Sequence, residues 1–205
     1  MDRRETIIFH ARKQFTRFGY TKTTMDDIAR KCDITKPTLY QYYTGKADLF
    51  AAVINDEQMA FFEMIEQATN GISEAAGKMY AYADVQIASI RKFLLLGELS
   101  RRALLDLHPE ALKVMAVCRA QEEALLAGWI EQGIRSGEFA SQDASHAARV
   151  FFLALVSLKF QTLVLDNPGT DEIKAEEAPV VQLAEDFRKL VDLFLNGLRV
   201  RGENA

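Results

Sequence analysis

The sequence predicts an all-α chain of about nine helices, three short ones at the N-terminal end followed by a larger helical body. Three observations carry that expectation. Apolar residues recur at three- and four-residue steps, and no stretch alternates like a half-buried strand. Gly, Asn, Pro and capping side chains fall between those segments, where helices start and stop. No internal repeat or low-complexity tract interrupts the pattern.

Taken in order, Ile8, Ala11, Phe15 and Phe18 define a helix from about Arg3 to Phe18, with Gly19 as its C-terminal stop. Thr24 is a good N-cap, with Asp27 three residues on to favour the positive end of the next helix. Ile28, Ala29 and Cys32 continue it as an apolar stripe. At Asp33 the chain must turn, through a left-handed conformation that Asp tolerates better than most residues. Ile34 plugs that turn into the core. Thr35 caps a short third helix that starts at Lys36, with Pro37 in the first turn, where a missing N–H costs nothing. Leu39 then faces inward, while Lys36, Thr38, Gln41 and Tyr42 lie largely outside.

A fourth helix runs from Lys46 to about Thr69, closed by Asn70-Gly71. A fifth opens at Ser73 and reaches roughly Phe93. Glu98 to Leu107 forms the next, ended by His108-Pro109 because a residue before proline is pushed out of the helical region. Pro109 starts a long helix to Ser136, closed by Gly137. Asp143 caps another, with Ala147, Val150, Phe151, Ala154, Leu155, Leu158 and Leu165 among its apolar positions. Residues 166–178 read as an exposed acidic loop. The last helix carries the cleanest stripe: Val180, Leu183, Ala184, Phe187, Leu190, Val191, Phe194 and Leu198.

Charge is unevenly spread. Residues 1–50 carry ten Lys/Arg against six Asp/Glu, a surplus of four, so the rest of the chain holds −8 of the overall −4. A basic head on an acidic body fits phosphate contact at one end only. Cys32 and Cys118 form no ligand or disulfide framework, consistent with a reducing, cytoplasmic compartment. The start of the chain lacks a signal-peptide pattern, and no apolar run approaches a membrane span. Metal, cofactor and enzyme readings find no support: the three histidines are scattered, and HExxH, CxxC and phosphate-loop motifs are absent.

The third helix is poor core material but rich in donors. Lysine, threonine and glutamine read base edges, while threonine and tyrosine hydroxyls reach phosphates. A solvated polar hairpin with no partner fits the same spacing. The two final apolar stripes likewise fit either intramolecular core or a helix pair shared with a second copy.

The threonine-capped helix ending in Ile28-Ala29, the run Ile34 to Tyr40 (ITKPTLY), the Tyr42-Tyr43 pair and the Gly45-Lys46-x-x-Leu49 entry to the fourth helix together resemble the N-terminal domain of the TetR family of transcriptional regulators. Asp33 stands where that family usually has glycine, and Gly45 where it usually has a serine cap. The resemblance implies a helix-turn-helix DNA-binding domain over 1–46 and a helical effector-binding and dimerisation domain over 47–205. It implies groove contacts from Lys36, Pro37, Thr38 and Gln41, and phosphate contacts from Thr24, Thr35, Tyr40, Tyr42 and Lys46. It implies a small-molecule cavity among the middle helices, with candidate lining from Phe62, Met79, Tyr82, Phe93, His108, Met115, Cys118, Trp129 and Phe152. It also favours a homodimer through Phe151, Leu155, Leu158, Phe187, Leu190, Val191 and Phe194, bound to a palindromic operator. The function so implied is a ligand-responsive repressor released by a small, largely apolar molecule; an activator or a helical protein–protein adaptor is the alternative.

Overall fold

The computed structural model describes residues 2–95, 105, 108–165 and 178–199. They form eight α-helices and no strand: α1 (Arg3–Lys22), α2 (Met25–Lys31), α3 (Lys36–Tyr42), α4 (Lys46–Thr69), α5 (Ala75–Leu95), α6 (Pro109–Ser136), α7 (Ala144–Phe160) and α8 (Ala178–Leu198). The expected helix over 98–107, the loop over 166–178 and the side chains of Phe93, Leu165 and Val180 lie outside the described residues. The chain divides into two compact units, each with its own core. The first holds residues 1–60 and the described parts of 92–117. The second holds 61–91 and the described parts of 118–168 and 176–205. Helices α4, α5 and α6 therefore contribute residues to both units.

In the first unit, Ile7, Ala11 and Phe15 of α1 pack with Met25, Ile28 and Ala29 of α2, Leu39 of α3, and Leu49, Phe50 and Val53 of α4. Ala111 from the first turn of α6 joins this core. The buried face of α1 is centred on Ile7 rather than Ile8, and Phe18 is exposed. Gly19 breaks α1 at φ 79° and ψ 168°, after which one more turn reaches Lys22. Thr24 caps α2 with a reciprocal capping box to Asp27. Asp33 takes the left-handed conformation its place demands, at φ 54°, while Ile34 packs half-buried against the core.

The Asp27 carboxyl is held below its ordinary value, first by the Thr24 hydroxyl that donates to it at 2.5 Å and further by Arg30. A carboxyl depressed on folding lends stability above its unfolded value and loses it as pH falls through its folded value. Thermal melts of wild type and Asp27→Asn are therefore expected to differ at neutral pH. The gap should close as pH drops below the ordinary aspartate value of 3.8; a gap that holds constant into acid would contradict the assignment.

In the second unit, Tyr82, Leu126, Ile130, Phe151, Leu155, Leu183 and Phe187 are all but inaccessible to water. Helix α5 starts at Ala75 rather than Ser73, because the Glu138 carboxylate accepts from the free N–H groups of Ala75 and Ala76 at 2.8 Å each. That charge sits at the positive end of the helix dipole, where a carboxylate is favoured. Helix α6 ends as expected at Ser136, with Gly137 at φ 80°. The chain then folds back so that the Phe139 ring lies on Gly133, where an added Cβ would come within 2.3 Å of ring carbon. Phe139 is buried and cannot swing away. Gly133→Ala is expected to cost about 1–3 kcal/mol by overpacking, read as a fall in denaturation midpoint; an unchanged midpoint would mean the ring has room to retreat. Asp143 caps α7 by accepting from the His146 N–H at 3.0 Å. At its far end α7 widens into a π turn over Gln161–Leu165. Helices α7 and α8 pack together, with the Phe151 and Phe194 rings 4.7 Å apart.

The same packing encloses much of the expected dimer seam within the chain itself. Phe151, Leu155, Phe187 and Val191 are at most 1% exposed within the chain itself, and Leu158, Leu190 and Phe194 are half-buried. The apolar residues left in solvent are others: Val150, Leu153, Val156 and Phe160 on α7, and Val181 and Leu193 on α8. On α7 they recur at three- and four-residue steps and so share the face opposite the core. Sequence periodicity located apolar stripes correctly but did not say which of them the chain covers itself.

Candidate nucleic-acid interface

Helix α3 is held by a single buried anchor, Leu39, at 0% exposure. Its other residues turn outward or stay half-buried, which suits a surface that must meet something else. Thr35 caps it by accepting from the Thr38 N–H at 3.3 Å, and the two hydroxyls share a 2.7 Å hydrogen bond. Thr24, Thr35, Lys36, Pro37, Tyr40 and Gln41 are exposed, and Thr38 and Tyr42 are half-buried. Tyr42 packs against the core of the head, and Tyr43 is buried beneath the Arg4 guanidinium. The nine residues expected to touch DNA thus all belong to one unit, and six of them offer open side chains.

Three details were not visible in the sequence. The Lys36 ammonium is paired with Asp26 of α2 at 2.8 Å, and that hydrogen bond raises its pKa above the usual lysine value. Lys46 is turned back onto the protein: its ammonium donates to the Tyr20 carbonyl at 3.0 Å and lies 4.4 Å from the centre of the Tyr20 ring. At the entry to α4, the Thr44 N–H and hydroxyl both donate to Asp48, so a carboxylate of the chain already occupies a donor there. The first two have no motif, since each joins groups of different helices; Thr44 and Asp48 are only four residues apart.

The residues expected around an effector do not form one group. Met79, Tyr82, Trp129 and Phe152 are buried in the second unit, where Phe62 and Cys118 are half-buried. His108 and Met115 belong to the first unit instead. His108 packs on Tyr20 with ring centres 4.6 Å apart and caps α6 by accepting from the Glu110 N–H at 3.3 Å, while Met115 is exposed. Burial pushes the Cys118 thiol above its ordinary value, with Glu122 adding to the effect, so the thiolate a redox sensor needs is disfavoured.

Where candidates do converge, they surround polar groups the sequence did not single out. The Tyr82 hydroxyl donates to Glu122 Oε2 at 2.6 Å. The Gln86 amide donates to the same oxygen at 2.9 Å and to the Tyr82 hydroxyl at 2.8 Å. The Lys159 ammonium donates to Gln86 Oε1 at 2.9 Å. Burial, with Glu122 beside it, drives the Tyr82 pKa well above that of a free phenol. Separately, an open depression of about 550 Å³ beside the α4–α5 turn is lined by Glu66, Gln67, Thr69, Asn70, Gly71, Ile72, Lys78 and Trp129. Among the described residues no group of side chains has the makings of a metal site, and no helix is long and apolar enough to cross a membrane.

Residues 7–53, which contain α2, α3 and the buried anchors of the head, match the family of bacterial regulatory proteins of the tetR type. The chain carries a TetR-family head. Along most of its length it is 25% identical to the uncharacterized HTH-type transcriptional regulator YhgD of Bacillus subtilis, over 78% of this chain and 84% of that one. The crystal structure of a transcriptional regulator from Cytophaga hutchinsonii superposes with a TM-score of 0.73 at 26% identity, covering 96% of this chain and 98% of that one. FadR of Bacillus subtilis, solved with stearoyl-CoA, shares the fold at a TM-score of 0.74 and 18% identity, over 95% and 99% of the two chains. With this head and its full-length likeness to transcriptional regulators, the chain falls among DNA-binding proteins rather than enzymes.

Proposed function

We propose that this regulator is a repressor that binds a palindromic operator as a homodimer and leaves it when a small, largely apolar molecule enters the second unit. The observation that carries the reading is the outward face of α3, a set of lysine, threonine, glutamine and tyrosine donors mounted on one buried leucine. Lys36, Pro37, Thr38 and Gln41 meet base edges, and Thr24, Thr35, Tyr40 and Tyr42 meet flanking phosphates. Lys46, pinned on Tyr20, supports the head rather than reaching out. The reading places the protein in the cytoplasm with its DNA.

The second copy covers the α7 face of Val150, Leu153, Val156 and Phe160 together with Leu193 of α8, which is 72% exposed. Apolar residues in such a row are what a shared helix pair buries. Two heads related by a two-fold axis read half-sites about one turn, roughly 34–36 Å, or a multiple of it apart. FadR, solved with an acyl-CoA, is a precedent for a ligand in this fold. Release requires only that the ligand bind the DNA-incompetent state more tightly. Helix α4 is continuous from Lys46 to Thr69 and is the covalent path for that change.

Gel retardation with the region upstream of the chain's own coding sequence, at several salt concentrations, tests the reading. A retarded band that weakens with salt is expected. Lys36→Ala should cost about 1–3 kcal/mol and relax preference at one base position, whereas Tyr42→Phe should weaken all sequences alike. Absence of retardation at low salt by any promoter-proximal palindrome would defeat the proposal.

A further inference from the structure

Side chains from three helices of the second unit form one linked polar set. Gln86, which is 5% exposed, and Tyr82, at 0%, come from α5, Glu122 from α6 and Lys159 from α7. Their hydrogen bonds are unevenly shared. Glu122 Oε2 receives two donors while Oε1 receives none among the described residues. The Lys159 ammonium has three N–H groups and uses one, on a neutral amide oxygen. It forms no ion pair among the described residues, although burial has already pushed its pKa below the ordinary lysine value. An ammonium that gives one hydrogen bond to a neutral amide oxygen has donors left for an acceptor brought beside it.

The surroundings say what kind of partner. Met79, Leu126, Trp129, Phe152 and Leu155 on the same three helices are buried apolar residues, and the Tyr82 ring meets that of Trp129 edge-on with centres 6.2 Å apart. They offer an adaptable apolar wall for the body of a ligand. The charges of Glu122 and Lys159 cancel. An anionic head brought to the ammonium would face the Glu122 carboxylate, and a cationic head brought to that carboxylate would face the ammonium, each in a weakly screening interior. A neutral head with a carbonyl-type acceptor for Lys159 and a donor for Glu122 Oε1 meets both groups and adds no charge. Glu122 and Lys159 are only half-buried as residues, so the set is not sealed from solvent.

We propose that Lys159, Gln86, Glu122 and Tyr82 form the polar anchor of the effector site, and that the effector is an uncharged molecule with an amide- or hydroxy-carbonyl-like head on an apolar body. The regulatory meaning rests on the repressor reading above; the binding itself does not.

Thermal melts of the full chain with three probes of equal size, naphthamide, naphthoate and naphthylmethylammonium at millimolar concentration, test it. The amide is expected to raise the midpoint by about 2 °C or more, and the two charged probes not to. In Lys159→Met the amide shift should vanish, while the ligand-free midpoint holds or rises, because replacing a buried charge by an apolar chain of similar volume is often neutral or stabilising. Three results overturn the proposal: no shift with the amide, an equal or larger shift with either charged probe, or an amide shift that survives in Lys159→Met. Should the variant fail to fold, the wild-type comparison of the three heads still decides. No DNA is present in these melts, so a failure here is separate from a failure of gel retardation.

Discussion

Phe187→Ala is expected to destabilise the protein by about 3–5 kcal/mol, enough to unfold much of a chain with ordinary stability. Phe187 has no exposed surface, and its neighbours along α8, Leu183 and Val191, are equally enclosed. Truncation leaves a cavity in a wall that α7 and α8 build between them. The same position would behave otherwise if it lay on a surface covered only by a second copy. Its loss would then lower the dimerisation constant and leave the monomer's stability intact. Denaturation at two protein concentrations a hundredfold apart separates these cases. A loss of stability that is the same at both concentrations supports core packing. A variant monomer as stable as the wild-type monomer would return Phe187 to the interface.

The converse is expected of Leu153→Asp combined with Leu193→Asp. Both residues are exposed, at 42% and 72%, so neither change opens a cavity within the chain. Surface substitutions of this kind usually move stability by less than about 0.5 kcal/mol. Between two copies, however, four carboxylates would face an apolar seam with nothing to pair them, at several kcal/mol of desolvation. Sedimentation should show a folded monomer where the wild type is expected to run as a dimer. Operator affinity should fall by about two orders of magnitude or more, since one head then binds without the other. A double variant that still sediments as a dimer would place the interface elsewhere.

The contrast between these two experiments reflects what a single chain reveals. The ends of α4 and α6, the capping box of α2 and the left-handed turn at Asp33 were legible because glycine, proline and capping side chains decide them locally. The TetR-type head was legible because the run Ile34 to Tyr40 names both the buried anchor and the open donors. The start of α5 was not, because the carboxylate that caps it lies more than sixty residues along the chain. The partner of Lys36, the direction of Lys46 and the Lys159–Gln86–Glu122–Tyr82 set were invisible for the same reason: each joins residues of different helices. A periodic stripe shows that a face is apolar, not whose side chains cover it.

The Asp26–Lys36 pair has a consequence for the thermodynamics of operator binding. DNA association is driven in large part by the release of cations condensed on the duplex, roughly one for each phosphate a protein neutralises. A lysine that approaches already tethered to a carboxylate displaces fewer of them, because part of its charge is answered from within the protein. If Lys36 meets DNA as proposed, the head exchanges fewer ions with the duplex than its ten Lys and Arg residues would imply. What Lys36 contributes shifts from a general attraction towards a choice among base pairs, since leaving Asp26 is worthwhile only where a better acceptor waits in the groove.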